Sequence, residues 1–286
     1  MAVARHDTGP LSAGRALASQ VHPVFMLPPL ATSLFGALLA ESVTFSLRVA
    51  ALHAAAMFFA VYTAHVKDGY VDFHVRGEDD DHPMTASGCR LALVGATAGF
   101  AACTAGLWFA VGPWAALLTL PTWLIGYAHA PQLDLNTVGA TMGYPSGIGL
   151  ALLGGYYAQA GSFSPRVLGL AAVFLVLLTG IKIIDDEKDY DYDRSIEKHT
   201  VAVVLGPTRA RRLALGLLAA ALAGVVALST TVPGMPRSAA AAALVFGAVA
   251  LVAQRAESSL ATKLLIRGSY LFLAVLVAAV WFRPLG

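Results

Sequence analysis

Carboxylates are concentrated at two places in an otherwise apolar chain. In the stretch "IKIIDDEKDYDYDRSIEKHT", residues 181–200, five aspartates and one glutamate lie between Asp185 and Asp193. If the preceding helix continues through this stretch, Asp185, Asp189 and Asp193 recur every four residues and share one helix face. Because like charges at that spacing repel each other, the pattern predicts that cations lie between them. Carboxylate oxygens, with phosphate oxygens as the remaining partners, favour Mg²⁺.

The second acidic segment is "VKDGYVDFHVRGEDDDHP", residues 66–83, in which Asp68 and Asp72 repeat the four-residue spacing. The run of four acids at 78–81 is more typical of a solvated surface loop, since consecutive charges point in all directions. Basic residues alternate with the acids of the later segment, namely Lys182, Lys188, Arg194 and Lys198. A mixture of carboxylates and bases is what a site for a metal and a diphosphate needs.

Composition indicates that helices in a membrane carry these acids. Of 286 residues, 57% are hydrophobic and only 13% are charged, and the mean hydropathy is +0.69. Soluble domains carry about a quarter charged residues. Apolar runs such as 211–232 match the ~30 Å thickness of the hydrocarbon core. We therefore expect an all-α, polytopic membrane protein, since lipid offers no partners for unpaired backbone groups.

Nine transmembrane helices are predicted from length and apolarity. The segments are approximately 22–40, 44–65, 90–111, 113–128, 138–160, 166–184, 209–231, 237–254 and 262–282. With this count, 15 of the 19 Lys and Arg residues face one side of the membrane together with both acidic segments. Positive residues favour the cytoplasmic side. The expectation is a multi-pass plasma-membrane protein with its acidic motifs on the cytoplasmic side.

One domain, residues 1–286, is expected to contain two related halves, approximately 20–128 and 138–282. The reason is that each half offers carboxylates at one helix end. Cys89 and Cys103 have neither zinc-site nor disulfide spacing. The chain contains no phosphate-binding loop, dinucleotide motif or nucleic-acid patch, so no nucleic-acid partner is expected.

The later acidic segment resembles a known family signature. "DDEKDYDYDRSIEKHTVAVVLG" is similar to the second signature of the UbiA superfamily of intramembrane prenyltransferases. The matching residues are Asp185, Asp186, Asp189, Asp193, Arg194, Lys198, Thr200, Leu205 and Gly206. "DGYVDFHVR", residues 68–76, resembles the first signature less closely. The nine-helix layout extends the resemblance over nearly the whole chain.

The resemblance implies a helical bundle of two pseudo-repeats around a lipid-open cavity. It also implies two Mg²⁺ ions, whose ligands would be Asp68, Asp72, Asp185, Asp186, Asp189 and Asp193. The catalytic set would be Asp68, Asp72, Asp185, Asp189 and Asp193, and the diphosphate of a polyprenyl donor would contact Arg76, Lys182, Lys188, Arg194 and Lys198. Ionisation of the donor would give an allylic cation, which an acceptor attacks.

The chain departs from the family pattern at three positions. Asp68 stands where Asn is frequent, and Asp134 lies in a loop that usually carries a basic residue. Arg76 stands where the third acid of the first signature is expected. Arg76 would then contact phosphate directly, or the missing acid would come from Glu78 or Asp79.

The acceptor is expected to be lipophilic, because no Lys or Arg lies deep inside a predicted span. A quinone precursor, a glycerolipid or a carotenoid fits that expectation. His22, Tyr127 and Tyr144 are weak candidates for pocket residues, because ordinary packing or interface anchoring is the more frequent role of such side chains. Two alternatives stay open: a terpene cyclase with the same ionisation site, and an ion-coupled transporter. A transporter would carry charges near the bilayer midplane.

Overall fold

Helices account for almost all of the chain in this computed structural model, which describes residues 2–40 and 44–284. In those ranges the one β-type pairing is an isolated bridge between Ala4 and Met84. The α-helices are α1 (Pro10–Ala18), α2 (Pro23–Leu39), α3 (Leu47–Gly69), α4 (Ala86–Ala110), α5 (Pro113–Ala128), α6 (Thr137–Ala160), α7 (Pro165–Lys188), α8 (Tyr190–Ser195), α9 (Val201–Leu205), α10 (Pro207–Thr231), α11 (Ala240–Ala253) and α12 (Ser258–Phe282). A π-helix follows α3 at Tyr70–Arg76, a second follows α5 at His129–Leu133, and a 3₁₀ turn precedes α11 at Arg237–Ala239. The all-α prediction is confirmed.

Local sequence explains where the long helices begin. Pro23, Pro113 and Pro207 stand in the first turn of α2, α5 and α10, where a missing N–H costs nothing. Side-chain oxygens accept a first-turn N–H at α3, where Ser46 accepts from Val49, and at α4, where Thr85 accepts from Gly88. Residues in the first turn, or immediately before it, therefore favour the start of each of these helices.

Five helices in the described ranges are long and apolar enough to cross a membrane. They are Leu47–Arg76, Ala86–Ala110, Pro165–Lys188, Pro207–Thr231 and Ser258–Phe282. The number rises to six if α1 and α2, which meet at 69°, form one broken span. A helix occupies each of the nine predicted segments, but α2, α5 and α11 contain only 17, 16 and 14 residues, and α6 is not among the five. The count of nine transmembrane helices is therefore not confirmed.

The first of two compact units contains Met1–Leu133 and Leu150–Gly161. In it, α3 packs against α2, α4 and α5. Two glycines bring α2 against the C-terminal half of α6. A Cβ on Gly36 would lie 2.1 Å from the Leu152 carbonyl oxygen, and one on Gly155 would lie 2.1 Å from that of Ser33. Small residues permit such close backbone approach between helices.

The second unit contains Asp134–Gly149 and Ser162–Gly286. Here α7 packs against α10 and α12, and α11 packs against α10 and α12. Phe272 meets Phe174 and Phe246 edge-to-face, with ring centroids 5.6 and 6.0 Å apart. The short helices α8 and α9 connect α7 to α10. That the chain forms one domain of two related halves stays a prediction.

Candidate active site

The first acidic segment lies where α3 continues as a π-helix. Asp68 belongs to the last turn of α3, and Asp72 lies in the first turn of the π-helix. π-helical turns occur frequently at functional sites. Both carboxylates line a cavity of about 390 Å³ within the first unit. The other lining residues are Ser19, Gln20, His22, Phe25, His65, Gly69, Asp79, Asp81, His82 and Pro83.

Arg76 lies at the end of the π-helix and pairs with carboxylates. Its Nη1 is 3.5 Å from Asp72 Oδ1, and its Nε is 3.7 Å from Glu78 Oε1. Glu78 is thus engaged with Arg76, whereas Asp79 lines the cavity with Asp68 and Asp72. Of the two acids that could supply the third ligand, Asp79 is the one that lines the cavity with Asp68 and Asp72. From sequence alone, the acids at 78–81 are typical of a surface run, and Glu78 and Asp79 are alternative third acids.

Asp81 also lines this cavity, and it has a partner in the N-terminal segment. Asp81 is exposed, and His6 Nε2 lies 2.9 Å from its Oδ1. Desolvation raises the pKa of Asp81, but hydrogen bonds from His6 and from the His82 N–H lower it by more. The pKa of Asp81 therefore lies below its ordinary value. The run at 78–81 is therefore part surface, as predicted, and part cavity lining.

Of the candidate pocket residues in the first unit, His22 lines the cavity and Tyr127 does not. The His22 ring meets the ring of His65 edge-on, with centroids 4.8 Å apart. His65 Nδ1 in turn lies 3.2 Å from the Gln20 carbonyl oxygen. Tyr127 packs under the ammonium of Lys67 at 4.8 Å. No sequence signal pointed to Gln20, since it follows the short helix α1 and matches no motif.

The second acidic segment does not form one uninterrupted helix. α7 ends at Lys188, Asp189 has φ −103° and ψ 13°, and α8 begins at Tyr190. Asp185 and Asp186 therefore lie on α7, Asp189 lies at the junction, and Asp193 lies on α8. The sequence predicted one helix face through Asp185, Asp189 and Asp193, but the helix is interrupted at Asp189. A backbone hydrogen bond from the Asp193 N–H to the Asp189 carbonyl, 2.8 Å long, still links the two.

Burial separates these acids. Asp186 and Asp193 are each only 4% exposed, while the Asp189 side chain is 51% exposed. Asp186 Oδ2 is buried and has no hydrogen-bond partner. Because an unsatisfied buried carboxylate oxygen is costly, this atom is suited to accept a ligand.

Lysines surround the same acids. Lys182 Nζ contacts Asp186 and lies 3.4 Å from Asp185 Oδ2. Lys188 Nζ contacts Asp185 and lies 3.7 Å from Asp189 Oδ2. These pairs hold the end of α7 as one network of charged groups.

Asp193 on α8 pairs with the base that follows it. Lys198 Nζ is 3.9 Å from Asp193 Oδ1. Burial raises the pKa of Asp193 above its ordinary range, even though Lys198 and Lys182 favour the charged carboxylate. Thr200 contributes a side-chain hydrogen bond to Asp193 and accepts the Val203 N–H at the start of α9.

Two remaining candidates lie apart from this network. Arg194 is exposed on α8, and Tyr144 lies on α6 in the second unit, near Tyr270. The structure thus brings Lys182, Lys188 and Lys198 together with the acids, but leaves Arg194 at the surface.

The chemistry of each cluster follows from its donor atoms. Asp68, Asp72 and Asp79 in one unit, and Asp185, Asp186 and Asp193 in the other, offer only carboxylate oxygens. Hard divalent cations such as Mg²⁺ prefer such ligands. Asp186 Oδ2 has no hydrogen-bond partner, so the second cluster contains an acceptor atom that a ligand could use. The type of donor atom therefore suits a divalent cation.

Comparison with known proteins places the chain in a family. The family model of the UbiA prenyltransferase family matches residues 29–276. No curated protein matches the chain.

Solved structures share its fold. A UbiA homologue from Aeropyrum pernix K1 has a TM-score of 0.74 and 20% identity, covering 91% of this chain and 98% of its own. A digeranylgeranylglyceryl phosphate synthase has a TM-score of 0.74 and 12% identity, with coverage of 94% and 98%. A UbiA homologue from Archaeoglobus fulgidus, bound to GPP and Mg²⁺, has a TM-score of 0.66 and 18% identity, with coverage of 94% and 99%. At these identities the likeness concerns the fold alone, and the assignment rests on the family match over most of the chain. The chain belongs to the UbiA prenyltransferase family and is a transferase of prenyl groups.

Proposed function

We propose that the chain is a Mg²⁺-dependent enzyme that moves an allylic polyprenyl group from its diphosphate to a lipophilic acceptor. The observation that carries this proposal is the carboxylate of Asp186. It is buried, its Oδ2 has no partner, and Lys182 contacts its other oxygen. A buried anion with spare acceptor capacity beside a cation is what a site for a metal and a phosphate requires.

Each acidic cluster would hold one Mg²⁺ ion. The ligands would be Asp68 and Asp72, with Asp79 as the third acid, in the first unit. In the second unit they would be Asp185, Asp186, Asp189 and Asp193. When bound, Mg²⁺ supplies positive charge that stabilises the departing diphosphate. The structurally similar Archaeoglobus fulgidus protein bound to GPP and Mg²⁺ supports this choice of cation and of donor class.

The lysines of the second unit would bind the diphosphate oxygens. Lys182, Lys188 and Lys198 each lie within 4 Å of a carboxylate, so their ammonium groups are already held at the acidic cluster. Charge-assisted hydrogen bonds from such groups are stronger than neutral ones and favour the leaving anion. Arg194, which is exposed, would reach the diphosphate only after moving.

The bond changes are those of an ionisation followed by capture. The bond between the allylic carbon and the diphosphate oxygen breaks, and its electron pair leaves with the diphosphate. The acceptor's electron pair then forms the new bond to the allylic carbon, and the acceptor releases a proton to solvent. Apolar surroundings keep water away from the cation, which fits a chain that is 57% hydrophobic.

The acceptor would be neutral and lipid-like: a quinone precursor, a glycerolipid or a carotenoid. His22 lies in the cavity with Asp68 and Asp72, which makes it the pocket candidate preferred over Tyr127 and Tyr144. The similarity to a digeranylgeranylglyceryl phosphate synthase makes a glycerolipid the first acceptor to try. The location proposed is the plasma membrane, with the acidic motifs at its cytoplasmic face.

The test compares two aspartates of the same segment. Purified protein is given geranylgeranyl diphosphate with and without Mg²⁺, diphosphate release is measured, and lipid products are identified by mass spectrometry. Asp186→Asn removes the buried carboxylate and should lower Mg²⁺-dependent release by more than about a hundredfold. Asp191→Asn is the matched control, because Asp191 is exposed on α8 and its release rate should stay within about twofold.

The products distinguish prenyl transfer from cyclisation of the donor. A prenyl group joined to the added lipid supports the transferase. A hydrocarbon made from the donor alone would assign the chain to cyclisation instead. The absence of release with any diphosphate, with acceptor lipid present, would contradict the proposal. Family membership leaves no support for the ion-coupled transporter.

A further inference from the structure

Three side chains that can ligate a metal come together, and none of them is a carboxylate. They are His74 in the π-helix, His82 in the following loop and Cys89 in the first turn of α4. One ligand atom from each lies within 4.8 Å of the others. All three belong to the first unit. Their sequence spacing matches no zinc motif, so the sequence alone did not indicate this cluster.

The backbone of Met84 orients both imidazole rings. Its carbonyl oxygen lies 3.1 Å from His74 Nε2 and 3.1 Å from His82 Nδ1. Metal-binding histidines almost always donate their other ring N–H to a carbonyl or carboxylate. The Met84 N–H also lies 3.1 Å from His82 Nδ1, so the backbone can accommodate either tautomer of His82. A metal at Nε2 would select the tautomer that donates to the carbonyl.

The burial of the cluster points to a missing partner. His82 is 4% exposed and Cys89 is fully buried, and His82 Nε2 has no hydrogen-bond partner. Buried polar atoms are nearly always paired. The exposed loop around Asp80 and Asp81 gives this nitrogen no carboxylate, since Asp81 is engaged by His6.

Aromatic packing accounts for only part of this arrangement. The His82 ring stacks on Phe73 with centroids 5.8 Å apart and meets His74 at 5.7 Å. These contacts explain why the rings are buried, but they provide neither an acceptor for Nε2 nor a reason for a thiol beside it.

We propose that His74, His82 and Cys89 bind a Zn²⁺-class transition-metal ion, with ligands other than the carboxylates that would hold Mg²⁺. Imidazole nitrogen and thiolate sulfur suit Zn²⁺ and not Mg²⁺. At zinc distances the three ligand atoms lie roughly 3.3–3.7 Å apart. From the observed upper limit of 4.8 Å, they therefore need to approach one another by about 1.1–1.5 Å. The thiol proton is released to solvent on binding, and the fourth position is left for water.

The ion would tie three segments together. His74 lies two residues after Asp72 and two before Arg76 on the π-helix, so a metal at His74 would fix the backbone that carries both. Because His82 also lines the cavity, the ion would stabilise the cavity wall. The site does not depend on the proposed prenyl transfer.

The probe is Co²⁺, whose absorption reports ligand type. Full-length protein carrying a tag without histidines is stripped with a chelator, dialysed and titrated with Co²⁺. We expect a thiolate-to-cobalt charge-transfer band at one equivalent per chain, displaced by Zn²⁺ but not by Mg²⁺. Cys89→Ser should abolish the band. Cys103→Ser is the matched control and should retain it, because Cys103 lies on the same helix, away from the histidines.

A second measurement, the thermal unfolding temperature, distinguishes loss of metal binding from loss of folding. Zn²⁺ should raise the thermal unfolding temperature of the stripped wild type and of Cys103→Ser, and not that of Cys89→Ser or His74→Asn. Size-exclusion profiles show whether each variant is folded. The absence of a charge-transfer band in the wild type would overturn the proposal, as would an equal band in folded Cys89→Ser.

Discussion

Asp186 and Asp191 are five residues apart and have the same side chain, yet only one is suited to bind a ligand. Asp186 is buried beside Lys182, with one oxygen unpartnered, whereas Asp191 is exposed on α8. A buried carboxylate keeps its charge only with a cation nearby. The residue's environment therefore decides its role.

Arg76 shows the same principle at the first cluster. It replaces an acid of the family signature, and it lies 3.5 Å from Asp72 and 3.7 Å from Glu78. Its charge therefore offsets part of the attraction that Asp72 exerts on a cation. This arrangement favours tuning of the acidic cluster over direct contact with phosphate.

Arg76→Gln should lower the Mg²⁺ concentration that gives half-maximal activity, by a factor on the order of ten or less, because one opposing charge is removed from Asp72. The measurement is the initial rate against Mg²⁺ concentration at saturating donor. Arg15→Gln, at an exposed position of α1, should leave the curve unchanged. A raised KM for the donor with an unchanged Mg²⁺ curve would show instead that Arg76 contacts the diphosphate.

Two irregular elements position the acids. The π-helix at Tyr70–Arg76 widens the last turns of α3 around Asp72, and the junction at Asp189 separates α7 from α8. Gly69 lies at the first of these breaks, whereas the junction at Asp189 has neither Pro nor Gly, so propensity does not predict the second. Packing of α3 against α4 and of α7 against α10 supports the regular helices up to these points.

Close packing of α2 against α6 gives a prediction for a single glycine. Gly36→Ala should lower the free energy of unfolding by about 1–3 kcal/mol, because the added Cβ would lie 2.1 Å from the Leu152 carbonyl oxygen. Gly95→Ala on α4 has no atom within 4 Å of the added Cβ and should be neutral or stabilising by up to about 1 kcal/mol. Denaturant unfolding in detergent measures both. Equal stability of the two variants would show that α2 moves away from α6 at little cost.

At the scale of the whole molecule, the distribution of positive charge predicts orientation. Fifteen of the 19 Lys and Arg residues fall on the side that carries the acidic segments under the nine-helix layout. This orientation rests on the sequence and on the positive-inside tendency.

Single cysteines in a Cys103→Ser background test this orientation. A membrane-impermeant maleimide should label Ser162→Cys, between α6 and α7, in intact cells. It should label Ser195→Cys, at the end of α8, only after permeabilisation. Both positions are exposed, and Cys89 is fully buried, so the background stays unlabelled. The reverse pattern would place the acidic motifs outside the cell, and labelling of both in intact cells would contradict the span count between them.

Sequence by itself determined the helical class, the nine helical segments and the family, since these follow from apolar runs and from a specific spacing of acids. It also identified Asp186 and Asp193, but could not rank them above the exposed Asp189, because burial depends on packing of α7 and α8. Tertiary structure alone decided that Asp79 joins Asp68 and Asp72 at one cavity. It alone brought His74, His82 and Cys89 within 4.8 Å of one another, because a π-helix, a loop and a helix start meet there without any regular spacing in the chain.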